Sequence, residues 1–136
     1  MPHTKSSNQQ KKILMVEDEG EMCLLLNIIL LGKDIEMDHV KTLGAAKAYL
    51  EKEQPNLVML DNRLPDGLGL DLIPFIRSNY PDIKILMISG FHSAEVKDIA
   101  LETGADAFLE KPFTKEQIYK SVQDLLSLNI KEQAVL

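Results

Sequence analysis

Apolar residues in this chain gather in short unbroken runs, and the segments between the runs carry a helical period. Ile13-Leu14-Met15-Val16 and Leu57-Val58-Met59-Leu60 show no in–out alternation, and Ile83 to Ile88 is broken only by Lys84. Such runs predict strands buried on both faces, the habit of a parallel sheet covered by helices. Ile35 to Val40 alternates loosely and predicts a shorter edge strand, and Ala107-Phe108-Leu109 predicts a short fifth one. Helices are predicted over about Gly20 to Leu31, closed by Gly32, and over Leu43 to Lys52 behind a Thr42 cap. A third should run from about Leu68 to Ser78, with a kink or a late start at Pro74. Ser93 should cap a fourth over Ala94 to Glu102, closed by Gly104. Thr114, with Glu116 close behind, should cap a fifth reaching about Leu128. Strand–helix alternation with short connections predicts an α/β fold: a doubly wound, five-stranded parallel sheet with five helices on two faces.

The domain expected from this pattern covers residues 12–128, with a mobile tail over 1–11 and a C-terminal tail over 129–136. The first helix is more apolar than one buried face requires, through Leu24, Leu25, Leu26, Ile28, Ile29, Leu30 and Leu31. Deep burial with an ordinary exposed leucine or two explains this, and so does a partner-docking face.

Composition narrows the function classes. A chain of 136 residues is one domain, long enough to fold without disulfide or metal. Its net charge of −6 and scattered basic residues argue against nucleic-acid binding. The single cysteine, Cys23, fits a reducing compartment and reads as a buried, inert thiol. The polar start is no signal peptide, and the longest apolar stretch falls short of the roughly 20 residues of a membrane span. These features predict a cytoplasmic protein without membrane contact.

Candidate chemistry lies at the strand ends. The first strand stops at Glu17-Asp18, the third at Asp61, the fourth at Ser89 and the fifth at Lys111. Open α/β sheets bind ligands at that carboxyl edge, and by analogy with sheets of order 2-1-3-4-5 all four ends share one crevice. Taken singly, Asp61 is explained as a strand-ending polar residue, and Ser89 and Lys111 as surface residues. Their coincidence at four ends points to a site. Leu64-Pro65-Asp66-Gly67 then reads as a turn, with Gly67 free to take positive φ. Three carboxylates placed together repel by about 4 kcal/mol per pair near 4 Å at an effective dielectric of about 20. Either one holds a proton or a cation sits among them. An oxygen-only set suits Mg²⁺, whereas Cys23, His3, His39 and His92 lack metal-ligand spacing. His92 reads as a solvated residue beside the pocket. Asp61 is then a carboxylate nucleophile able to form an acyl-phosphate, with Mg²⁺ neutralising phosphoryl oxygens. Lys111 supplies a second cation and Ser89 a hydroxyl donor.

Val16-Glu17-Asp18-Glu19, Leu60-Asp61, Leu64-Pro65, Gly67, Gly69, Ser89-Gly90 and the run Gly104 to Phe113 carry a resemblance. From Lys12 to about Leu128 the chain resembles a response-regulator receiver domain of two-component and phosphorelay signalling, a flavodoxin-like fold. The resemblance implies phosphorylation of Asp61 from phosphohistidine on a sensor histidine kinase or a histidine phosphotransfer protein. It implies Mg²⁺ held by Asp18, Asp61 and the Arg63 carbonyl, with Glu17 acting through water. Ser89 and Phe108 would form the conformational switch, and Lys111–Pro112 would be cis. Glu17 stands where Asp is commoner, and Leu64 replaces the usual Met, a volume-conserving change. Arg63 and Phe91 occupy positions that tune phosphoryl lifetime in the family, and their bulk predicts slow hydrolysis.

The expected function is a free-standing receiver that signals to a downstream effector by contact and catalyses nothing beyond its own phosphoryl transfer and autodephosphorylation. A weak charge pattern on the last two helices predicts a monomer or transient dimer. The alternative is a receiver cut from a longer regulator with DNA-binding or enzymatic output. A Mg²⁺-dependent phosphohydrolase of the haloacid-dehalogenase kind would carry a second Asp where Arg63 stands. A flavodoxin-like binding module would need a phosphate-cradling loop where Glu17-Asp18-Glu19 stands. A pseudo-receiver is disfavoured because no site residue is missing.

Overall fold

A computed structural model describes residues 10–30, 34–90 and 92–126. Five parallel strands form the main sheet: β1 (Lys11–Val16), β2 (Ile35–Val40), β3 (Leu57–Asp61), β4 (Lys84–Ser89) and β5 (Ala107–Glu110). Their order is β2-β1-β3-β4-β5, as expected for a doubly wound sheet. The helices are α1 (Gly20–Ile29), α2 (Leu43–Lys52), α3 (Leu72–Asn79), α4 (Ser93–Thr103) and α5 (Lys115–Leu126).

The unbroken apolar runs work as predicted because consecutive strand residues point to opposite, equally covered faces. Leu14, Val16, Val58, Leu60, Ile85 and Met87 pack under α2, α3 and α4 with Leu50, Ile73, Ile76 and Ala100. Ile13, Met15, Leu57, Met59, Leu86 and Ile88 face the other way, beneath α1 and α5, against Leu26, Ile118 and Val122. All twelve of these strand residues are fully buried.

Several helix ends differ in detail from the sequence-based expectation. α3 starts late: a 3₁₀ turn over Gly69–Asp71 precedes it, and Pro74 falls in its first turn, where a missing N–H costs no helical bond. Ser93 is the first residue of α4 and not its cap. The cap position is His92, in a left-handed conformation with φ of 48°, and Ser93 instead donates its hydroxyl to Glu110 at 2.7 Å. Thr114 does cap α5, but its reciprocal partner is Gln117. The Gln117 N–H donates to Thr114 Oγ1 at 3.1 Å and the Thr114 N–H to Gln117 Oε1 at 2.8 Å. Thr42 caps α2 as predicted, accepting from the Ala45 N–H at 3.0 Å. Residues 1–9 of the expected N-terminal tail, the C-terminal tail over 129–136 and the Gly32 cap lie outside the described residues, while Lys11, expected in the tail, is the first residue of β1.

At the amino edge of the sheet, Arg77 of α3 ties three segments together. Its guanidinium donates to the carbonyls of Gly104 (2.8 Å), Pro81 (3.1 Å) and Ile83 (2.7 Å), and to Asp106 Oδ2 (2.6 Å). The same Asp106 oxygen accepts from the Ile85 N–H at 2.8 Å. Gly104, with φ of 124°, is required here, because a Cβ would lie 2.6 Å from Arg77 Cγ. Arg77→Ala removes four donors and leaves partly buried acceptors, so unfolding free energy should fall by about 2–3 kcal/mol. Arg77→Lys, which cannot span four acceptors, should recover less than half of it. Urea titration measures both, and a loss below about 0.5 kcal/mol for Arg77→Ala would remove this knot from the stability account.

Candidate functional site

The carboxyl edge of the sheet opens into a cleft of about 260 Å³ lined by Asp18, Glu19, Asp61, Arg63, Ser89, Gly90 and Lys111. Five of the predicted site residues therefore meet in one place. Asp61 ends β3 with its side chain 14% exposed, and Lys111 Nζ stands 3.1 Å from Asp61 Oδ2. Ser89 ends β4 and is buried. Lys111 is brought over the cleft because its N–H donates to the Ser89 carbonyl at 3.0 Å, extending the β4–β5 ladder by one step. The Lys111–Pro112 peptide is cis.

Glu17 is placed differently from its neighbour. It is buried behind the cleft, and its carboxylate turns to the start of α1, accepting the N–H of Glu19 and, at 3.2 Å, the N–H of Cys23. Burial pushes its carboxyl above the ordinary value and the nearby Asp61 charge adds to this, while those N–H groups and His39 pull the other way. His39 binds the Glu17 carbonyl at 2.7 Å. Phe108 is half-buried on β5, packed against the core beneath α2–α4. Phe91 lies outside the described residues, and His92 is exposed, as predicted.

The loop after Asp61 is more ordered than a plain turn. Arg63–Leu64 pairs antiparallel with Gly67–Leu68, with Pro65 and Asp66 at the tip. Asn62, buried, closes the base: its N–H donates to Ile88, its carbonyl accepts from Gly69 at 2.7 Å, and its side chain accepts from Leu70 at 3.1 Å. Gly69 lies directly on the Asp61 backbone, where a Cβ would overlap the Asp61 carbonyl oxygen. At the tip, Asp66 accepts from the first two amides of α2, Leu43 (2.8 Å) and Gly44 (3.0 Å). Asp66 was read only as part of a turn, and its hold on α2, like the role of Asn62, escaped the sequence reading. An Asn following a strand-end Asp, and an Asp at a hairpin tip, were the available signals.

Beside the cleft, a groove of about 470 Å³ is lined by Glu19, Met22, Leu25, Lys111, Pro112 and Phe113. It adjoins the outer face of α1, where Leu24 and Ile28 are 62% and 63% exposed. Deep burial alone therefore does not explain the apolar excess of α1. Among the described residues no helix is long and apolar enough to cross a membrane.

A five-stranded sheet of this order with acids, hydroxyl and lysine at its carboxyl edge defines a signalling receiver. The chain belongs to the response regulator receiver domain family, whose model matches residues 13–123. It is thus the receiver domain of a two-component response regulator, a signalling module. It is 33% identical over 119 residues to the response regulator protein PilR of Pseudomonas aeruginosa, covering 88% of this chain and 27% of PilR. The fold is similar to a CheY-like receiver domain protein from Methanospirillum hungatei, with TM-score 0.81, 30% identity and coverage of 90% and 98% of the two chains. It is also similar to the beryllofluoride-activated NtrC4 receiver domain dimer, with TM-score 0.81, 32% identity and coverage of 87% and 98%. The chain spans between a quarter and about half the length of the first curated relatives it matches.

The Leu43 and Gly44 amides hold the Asp66 carboxyl below its ordinary value of 3.8. A lowered carboxylate contributes stability above the ordinary value that is lost as pH falls through the folded one. The Leu43 and Gly44 amide resonances should therefore titrate together with a midpoint below 3.8, and a midpoint at or above it would remove the two bonds.

Proposed function

We propose that this receiver accepts a phosphoryl group on Asp61 from phosphohistidine of a sensor histidine kinase or phosphotransfer protein. The observation that carries the reading is the pairing of Lys111 with Asp61 at 3.1 Å in a cleft shared with Asp18, Arg63 and Ser89. Lysine at that distance orients the Asp61 carboxylate for attack. The Asp61 oxygen forms its bond to phosphorus as the phosphorus–nitrogen bond of the donor breaks. Lys111 follows the charge from carboxylate to phosphoryl oxygen, and the Ser89 hydroxyl donates to another. Phe108, packed nearby on β5, moves with Ser89 and carries the change to the surface.

The donor set fits Mg²⁺. Among the described residues no three of His, Cys, Asp and Glu converge as a preformed cage. Carboxylate and carbonyl oxygens are the donors taken by an ion which keeps several waters and binds through one or two carboxylates plus a phosphoryl oxygen. Asp18 and Asp61 with the Arg63 carbonyl would hold it, and Glu17 would act behind them, its carboxylate engaged by backbone N–H groups. When bound, the ion supplies neutralisation of phosphoryl charge. The groove beside the cleft and the exposed apolar face of α1 support approach of the phosphodonor protein from that side.

Incubation with Mg²⁺ and acetyl phosphate should add the mass of one phosphoryl group, and Asp61→Asn should abolish the gain. Labelling that persists in Asp61→Asn would overturn the assignment. Arg63→Ala and Phe91→Ala should each speed loss of the phosphoryl group several-fold by opening a path for water. Unchanged decay in both variants would show that neither side chain sets the lifetime.

A further inference from the structure

We infer that Asp66 is a positioning residue for the cleft, clamping the loop that carries Arg63 to the start of α2. The inference rests on the proposed phosphoryl chemistry only for its consequence, because the clamp itself is a matter of geometry. The loop leaves Asp61 at Asn62, whose three bonds to Ile88, Gly69 and Leu70 fix its base. Two-residue strands then carry it outward to Pro65-Asp66. A hairpin this short, projecting from a sheet edge, is not stable by itself and swings about its base unless the tip is held.

Two contacts hold the tip. Leu64 packs, half-buried, against the core with Leu43, and both Asp66 oxygens take the leading amides of α2. Thr42 already serves the Ala45 amide, so Asp66 completes the N-terminal turn of α2 from outside the helix. A carboxylate there also faces the positive end of the helix dipole. Gly67, with φ of 149°, brings the strand so close that a Cβ would lie 2.9 Å from Leu43 Cδ1. Arg63 sits between fixed base and fixed tip, at the lip of the cleft. Its place there is set from α2, one helix away from the chemistry.

The test begins with the unphosphorylated protein. Asp66→Ala should lower the ¹⁵N order parameter of the Arg63 amide and leave those of Ser89 and Lys111 unchanged. Asp66→Asn, which keeps one acceptor, should fall between. Unchanged order at Arg63 in Asp66→Ala overturns the clamp. After acetyl phosphate treatment, Asp66→Ala should shorten the phosphoryl lifetime by about twofold or more, and not at all in an Arg63→Ala background. Equal shortening in both backgrounds also overturns it, because Asp66 would then act by another route. If the wild-type protein takes no phosphoryl group, the proposed function fails while the order parameters still decide the clamp.

Discussion

Burial of both faces of the central strands is the constraint from which the site follows. β1, β3 and β4 are covered above and below over Ile13–Val16, Leu57–Leu60 and Ile85–Ile88, so charged side chains have no place in these middles and are confined to the strand ends: lysines where β1 and β4 begin, acids and a hydroxyl where the strands leave the sheet. Parallel strands all leave in the same direction. Acids, hydroxyl and lysine from four remote stretches of sequence therefore arrive at one edge, and the crossover between β1 and β3 opens the crevice that receives them. The chemistry of this receiver is in that sense a by-product of how its core is covered.

Electrostatics then decides how the crowded acids coexist. Three free carboxylates at one edge would repel strongly, and the protein separates their fates. Glu17 is withdrawn behind the cleft and held by amides at the start of α1. Asp61 is matched by Lys111, and Asp18 remains exposed to water. Asp18 and Asp61 line the cleft with Glu19, while Glu17 does not.

What the sequence disclosed and what it withheld divide along range of interaction. Leu43–Lys52 and its Thr42 cap were legible because helix signals lie within a few residues of one another. The strands were legible because burial on both faces leaves an unbroken run. Asp18, Asp61, Ser89 and Lys111 were legible because they follow those runs at the strand ends, whereas Arg63 was reached only through the family resemblance. The left-handed His92 that displaces Ser93 from the cap of α4 carries no composition signal, as a non-Gly residue at positive φ is held by context. Arg77 and Asp66 were illegible for a different reason. Asp66 meets amides more than twenty residues away and Arg77 a carbonyl 27 residues away beside two nearer ones, and a charged residue in a helix or turn gives no sign of which carbonyl or amide it will meet. The excess of leucine and isoleucine on α1 could be seen, but only the coordinates divide it between Leu26, which is core, and Leu24 and Ile28, which are not.

The guanidinium knot of Arg77 has a mechanical meaning beyond its contribution to folding. It laces α3, the start of β4 and the turn into β5 at the pole of the molecule opposite the cleft, where Lys12 and Asn56 add further cross-links between β1, β3 and β4. The strand starts thereby form a common footing, and the loop that leaves Asp61 at the far pole depends on tethers of its own, at Asn62 and at Asp66.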